Sequence, residues 1–143
     1  MIFIISCNSK TRTNNYLNII PSIETLGVNK GFSNINPNNI EYAYSSENDK
    51  IPITYGYLKN ITFGNLENAL INFKIDNNID LKSEGYILNI EKEKIFIIAK
   101  DKAGLFYAFI TLDQILENAI DHRTDVPILN IKDQPSLDFR PIH

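Results

Sequence analysis

Few side chains in this sequence have the type and setting that chemistry requires. The carboxylates Asp113, Glu117 and Asp133 invite comparison with an acid–base pair. They fall in stretches that read as helix and strand and are assigned to caps and solvated faces, so no catalytic residue is expected. The histidines, His122 and His143, are not clustered, and a single cysteine, Cys7, rules out an internal disulfide and a multi-cysteine metal site. A zinc site is not expected. His122 lies in a polar stretch and reads as solvated, and His143 reads as a boundary residue. Tyr86, Phe106, Tyr107 and Phe109 suggest a sugar-stacking platform, but their strand and helix spacing assigns them to core or interdomain packing.

Cys7 has a chemistry of its own. Met1-Ile-Phe-Ile-Ile-Ser-Cys7 places an apolar run and a serine before the cysteine, and a polar spacer follows. The pattern is similar to the end of a bacterial lipoprotein signal, with Cys7 as the lipid-bearing residue. The run is too short to span a bilayer. No basic segment precedes it, so the true start is expected further upstream. On this reading the protein is a periplasmic or outer-membrane lipoprotein of a Gram-negative bacterium, tethered through Cys7. The alternative is a short apolar strand with a free thiol in a cytoplasmic protein.

The elements that must position these groups centre on Gly85 to Leu116, read as strand, tight turn, strand and amphipathic helix. Tyr86, Leu88 and Ile90 alternate with Ile87 and Asn89, the period of a strand with one buried face. Glu91-Lys-Glu-Lys94 is a short polar turn. Ile95 to Ala99 is apolar at every position, which suits a central strand covered on both sides. Asp101 can cap the helix that follows. Leu105, Phe109, Leu112, Leu116 and Ala119 recur at spacings of four and three, one stripe wide enough to lie on a sheet. Gly104 and Ala108, on an adjoining face, permit a close approach to a neighbour.

Around this unit the 143 residues form one domain with enough chain for one core. Apolar content of 43% and charged content of 22% are those of a globular protein, and a net charge of −3 argues against non-specific nucleic-acid binding. Lys10 to Tyr16 reads as a polar tether. Asn18 to Leu26 reads as a strand with Pro21 at its edge, Gly27 to Lys30 as a turn, Gly31 to Ile35 as a second strand and Ile40 to Tyr44 as a third. Ile51 to Gly64 favours strand, Leu66 to Leu70 the start of a helix, and Ile71, Phe73 and Ile75 a strand. Asp76 to Lys82 reads as a loop and Asn118 to Asp125 as a polar connection. Leu129 and Ile131 share one face of a last strand.

Three of these pieces resemble one known family. Glu84-Gly-Tyr-Ile-Leu-Asn-Ile90 looks like the Glu-x-Tyr-x-Leu-x-Ile strand in the N-terminal domain of family-20 glycoside hydrolases, the β-N-acetylhexosaminidases. Ala103-Gly-Leu-Phe-Tyr-Ala-Phe-Ile-Thr-Leu-Asp-Gln-Ile-Leu116 is similar to that domain's helix, Ala-Gly-x-x-x-Gly-x-x-Thr-Leu-x-Gln-Leu. Val126 to Arg140 resembles the strand and junction that lead to the catalytic barrel, a Pro-x-x-x-Ile-x-Asp-x-Pro run followed by Tyr/Phe-Arg. Ala108 and Ile110 depart from the usual Gly and Gln, and Pro141 replaces a small residue after the arginine.

The resemblance implies a division into a signal-like start and tether over 1–16, an N-terminal α+β domain over 17–137, and over 138–143 the start of the first barrel strand. The α+β domain is expected as a small, mainly antiparallel sheet with one principal helix, about 101–119, packed on one face. Such a domain braces a downstream (β/α)8 barrel and does not react. In the family the sugar's N-acetyl oxygen attacks the anomeric carbon. An Asp–Glu pair in the barrel orients that amide and protonates the leaving oxygen. Neither carboxylate is in this sequence, and the resemblance implies no metal and no organic cofactor. Arg140 is the position that carries over: its guanidinium would hold sugar hydroxyls, with surface pairing to Asp138 as the alternative. A related family-84 or α-glucuronidase leading domain, a stand-alone carbohydrate- or partner-binding module, and an inactive homologue stay open.

Overall fold

The computed structural model describes residues 25–44, 62–63 and 70–136. In chain order these form β1 (Thr25–Phe32), β2 (Glu41–Tyr44), β3 (Thr62–Phe63), β4 (Ile71–Ile75), β5 (Tyr86–Ile90), β6 (Ile95–Ala99), α1 (Lys102–Asp121) and β7 (Pro127–Asp133). The strands make one sheet in the order β1-β7-β5-β6-β4-β2-β3. The pairings of β1 with β7, β7 with β5 and β5 with β6 are antiparallel. A parallel flank, β6 with β4, β4 with β2 and β2 with β3, shortens toward the edge.

Local sequence explains the centre of this sheet. The Glu91–Lys94 turn closes with the Glu91 N–H donating to Lys94 O at 2.9 Å, which sets β5 against β6. β6 and β7 both run antiparallel to β5 and are therefore parallel to each other. A parallel pair cannot be joined by a hairpin. The 20-residue α1 makes the crossover, packing over β5 and β6. Alternation then turns Ile71, Phe73, Tyr86, Leu88, Ile90, Ile95, Ile97, Leu129 and Ile131 toward the helix. They meet the predicted stripe Leu105, Phe109, Leu112, Leu116 and Ala119, joined by Ala108 and Ile115, in one buried core. The rings of Phe73 and Phe109 meet edge to face at 5.2 Å, the favoured arrangement for two aromatic quadrupoles.

The expected α+β layering is present, and several local readings are corrected. Gly27 to Lys30 is not a turn and Gly31 to Ile35 is not a separate strand: β1 runs through Phe32, held by β7 at Thr25↔Lys132 to Val28↔Leu129, and Ser33 to Ile35 lie beyond its end. The irregularity expected of glycine appears as a register shift between Val28 and Phe32, where Gly31 has φ 125°. The helix continues through Asp121, so Asn118 to Asp121 is helical, with His122 as its C-cap. β6 is central, as expected, but its second face is less covered than its first: Ile95, Ile97 and Ala99 are buried, Phe96 and Ile98 only half-buried. The readings at residues 18–24, 51–61 and 66–69 lie outside the described residues.

Candidate functional site

The polar side chains that the fold draws together gather where α1 begins. Asp101 has extended backbone, φ −154°, and its Oδ1 accepts from the Gly104 N–H at 2.8 Å, the predicted N-cap. Its Oδ2 accepts from Ser83 Oγ and from the Glu84 N–H, each at 2.9 Å. One carboxylate thus ties the first turn of α1 to the loop entering β5. The Lys100 N–H donates to Gly85 O at 2.9 Å, and Gln134 Oε1, just past β7, accepts from the Lys82 N–H at 3.1 Å. Helix start, β5 entry and β7 exit are joined in one clasp.

The clasp is close-packed. A Cβ on Gly104 would lie 2.5 Å from Gly85 O, and one on Gly85 would lie 2.9 Å from both Leu81 Cβ and Lys82 O. Glu84 adopts a left-handed φ of 65°, unusual for a residue with a Cβ, and the Asp101 hydrogen bond to its N–H helps hold it there. Deeper in, Tyr86 Oη and Thr111 Oγ1 are 2.6 Å apart, both residues being buried. We expect Tyr86→Phe to lower stability by about 1–2 kcal/mol, because Thr111 is left without that partner in an apolar layer. Tyr86→Phe combined with Thr111→Val should recover part of the loss in a double-mutant cycle read by urea denaturation.

Partial burial is the largest single influence on the Asp101 carboxyl and favours its neutral form. The N–H donors of Glu84, Gly104 and Ala103 and the Ser83 hydroxyl together outweigh burial and hold its pKa below the ordinary 3.8. A carboxyl depressed on folding adds stability that is present above its unfolded pKa and lost as pH falls through the folded one. Asp101→Ala should therefore cost about 1–2 kcal/mol at neutral pH. The gap between variant and parent should narrow only in acid, below the ordinary value of 3.8. Urea midpoints measured across that range check both statements.

The other predicted groups are dispersed. Glu117 is exposed and Asp113 half-buried on α1, whereas Asp133, expected at a solvated position, is buried on the helix side of β7. Strand alternation places it there, level with Tyr86. His122 is exposed, its Nδ1 2.9 Å from Asn118 O at the helix end. Tyr86 and Phe109 are core residues, Tyr107 is half-buried and Phe106 is 45% exposed. Among the described residues no group of His, Cys, Asp and Glu could hold a metal ion. Cys7, Arg140 and His143 lie outside the described residues. The sequence reading did not single out Ser83, Thr111 or Gln134; their roles depend on partners distant in sequence. What the clasp can do is mechanical: it fixes the direction in which the chain leaves β7.

The described residues form a one-helix, seven-stranded sheet with a packing joint at the start of α1. Residues 16–134 match glycosyl hydrolase family 20, domain 2, and the chain belongs to that family. It is 35% identical to a beta-hexosaminidase of Porphyromonas gingivalis over 46% of this chain and 9% of that protein. Its fold is similar to the beta-N-acetylhexosaminidase of Bacteroides fragilis, with a TM-score of 0.66 and 22% identity over 87% of this chain and 26% of that one. The structure of CpGH84B is also similar, with a TM-score of 0.59 and 22% identity over 87% of this chain and 24% of that one. The chain therefore spans about a tenth of the curated relative and about a quarter of these structures.

Proposed function

We propose that this chain is the bracing, non-catalytic domain of a β-N-acetylhexosaminidase whose reacting carboxylates are carried by a barrel in the same polypeptide. The family match over residues 16–134 carries the reading. The parent reaction is the removal of terminal N-acetylhexosamine from glycans by substrate assistance, with retention at the anomeric carbon. This domain's part is to hold the barrel's first strand in place through the clasp. Arg140, seven positions beyond the end of β7 in the sequence, would bind hydroxyls of the sugar, where a guanidinium offers paired donors. Cys7 would carry a lipid and tether the protein to a bacterial membrane, a reading supported by the apolar run and Ser6 before it.

The test is to express the polypeptide extended through its downstream reading frame. Deleting residues 17–137 should lower the barrel's thermal midpoint and its activity together. Arg140→Ala should lower kcat/KM by about a hundredfold with the midpoint unchanged. An undiminished deletion variant would refute the bracing role. The likeness to CpGH84B favours a second reading, a family-84 type of barrel. The residues after Arg140 decide between them: an early Asp supports family 20, and a Gly-Phe-Tyr-Gly run supports family 84.

A further inference from the structure

The sheet face turned away from α1 carries a feature that the bracing role does not use. Alternation places Asn72 and Lys74 of β4, Ile87 and Asn89 of β5, and Phe96 and Ile98 of β6 on this face. The register aligns Asn72, Phe96 and Asn89 in one row across three strands, and Lys74, Ile98 and Ile87 in the next. A cavity of about 420 Å³ lies over them, lined by Asn72, Lys74, Asn89, Glu91, Phe96 and Ile98. That volume is in the range of small-molecule sites, roughly 300–1,000 Å³, and the mixture of an apolar floor with a few polar groups is theirs as well.

The groups around the floor narrow the ligand. Phe96 is half-buried and centred in its row, so it offers a ring as a platform. Asn130 Nδ2 donates to Asn89 Oδ1, which commits that oxygen toward β7 and leaves the Asn89 Nδ2 donors for the side of Phe96. Asn72 brings a second amide on the opposite flank. The rim is charged, with Glu91 exposed and Lys74 in a 3.4 Å ion pair with Asp76. A purely aliphatic ligand would leave the Asn89 donors unused. An added peptide strand is excluded at β6, whose backbone is already paired on both sides. A pyranose fits: its axial C–H face is apolar, and the hydroxyls around its edge both donate and accept, as side-chain amides do.

We propose that this cleft is a glycan-binding subsite that seats one or two pyranose units, with a ring face on Phe96 and edge groups on Asn72 and Asn89. It goes beyond the bracing role, because it gives this domain its own contact with carbohydrate.

The experiment is an amide-shift NMR titration of the 143-residue chain with N,N′-diacetylchitobiose and, separately, with cellobiose, which lacks acetamido groups. At least one sugar should give saturable shifts, centred on β4, β5 and β6 around Asn72, Asn89 and Phe96. Phe96→Leu keeps the apolar cover but removes the ring, and should weaken binding by about tenfold or more. Phe96→Tyr should retain it. If Phe96→Leu fails to fold, Asn89→Ala should give the same loss. The proposal is overturned if neither sugar gives saturable shifts at concentrations up to about 20 mM, if the shifts centre elsewhere, or if the folded variants bind like the parent. Hydrolysis by the extended polypeptide is a separate readout: its loss would bear on the barrel reading and leave this titration standing.

Discussion

Replacing Phe109 with alanine should lower the free energy of unfolding by about 3–5 kcal/mol, the range for removing a large buried aromatic side chain. Phe109 is wholly buried at the centre of the α1 stripe, and its ring meets Phe73 edge to face at 5.2 Å. The space left behind is bounded by β4 and β6, locked to each other by five register pairs from Ile71↔Ile95 to Ile75↔Ala99. A sheet fixed in that way has little room to collapse into the void, which keeps the cost high. Domains hold together by only about 5–15 kcal/mol, so this one change removes a large share of the total. Phe106→Ala is the matched control: at 45% exposure it should change stability by no more than about 0.5 kcal/mol. Urea denaturation of the two variants side by side checks the pair, and equal losses would mean that the helix presents a different face to the sheet.

The second large effect is expected from the smallest addition. Alanine is the better helix former by as much as about 1 kcal/mol, so Gly104→Ala would stabilise a helix whose start was exposed. Here the added Cβ would lie 2.5 Å from Gly85 O and 3.0 Å from the Glu84 carbonyl carbon, and both are backbone atoms. They cannot swing aside as a side chain can. Gly85 is itself confined by Leu81 and Lys82, and Glu84 by Asp101. We expect a net loss of about 1–3 kcal/mol, as for overpacking a filled interior. A lower thermal midpoint shows that the clasp is closed in solution. A higher one would show that α1 stands off the sheet.

The parts of this fold legible in the sequence are those in which neighbours along the chain decide the outcome. The two periods in Gly85 to Leu116 give β5, β6 and the buried face of α1, and Asp101 announces its cap through its residue type. β1 was not legible, because Gly27 and Gly31 signal a turn locally and the pairing with β7, distant in the chain, overrides them. The end of α1 ran past the polar stretch at Asn118 because nothing there breaks a helix, and Ala119 still packs in the core. At the clasp the smallness of Gly104 was readable, but its counterpart was not. Glu84 carries no sequence mark of its left-handed backbone, and Ser83, Gln134 and Thr111 become legible only when the sheet order is known. Asp133 looked like a solvated acid until strand parity turned it inward. The cleft over Phe96 was hidden by the same parity: a wholly apolar β6 reads as covered on both faces, whereas its second face is only half covered.

The proposed role is to brace a barrel that carries the reacting carboxylates. The most direct test is the release of 4-nitrophenol from 4-nitrophenyl N-acetyl-β-glucosaminide, measured for the 143-residue chain and for the polypeptide extended downstream. The account predicts no turnover above buffer for the chain and steady turnover for the extended form. Turnover by these residues unaided, or an extended form that folds and releases nothing, would contradict it.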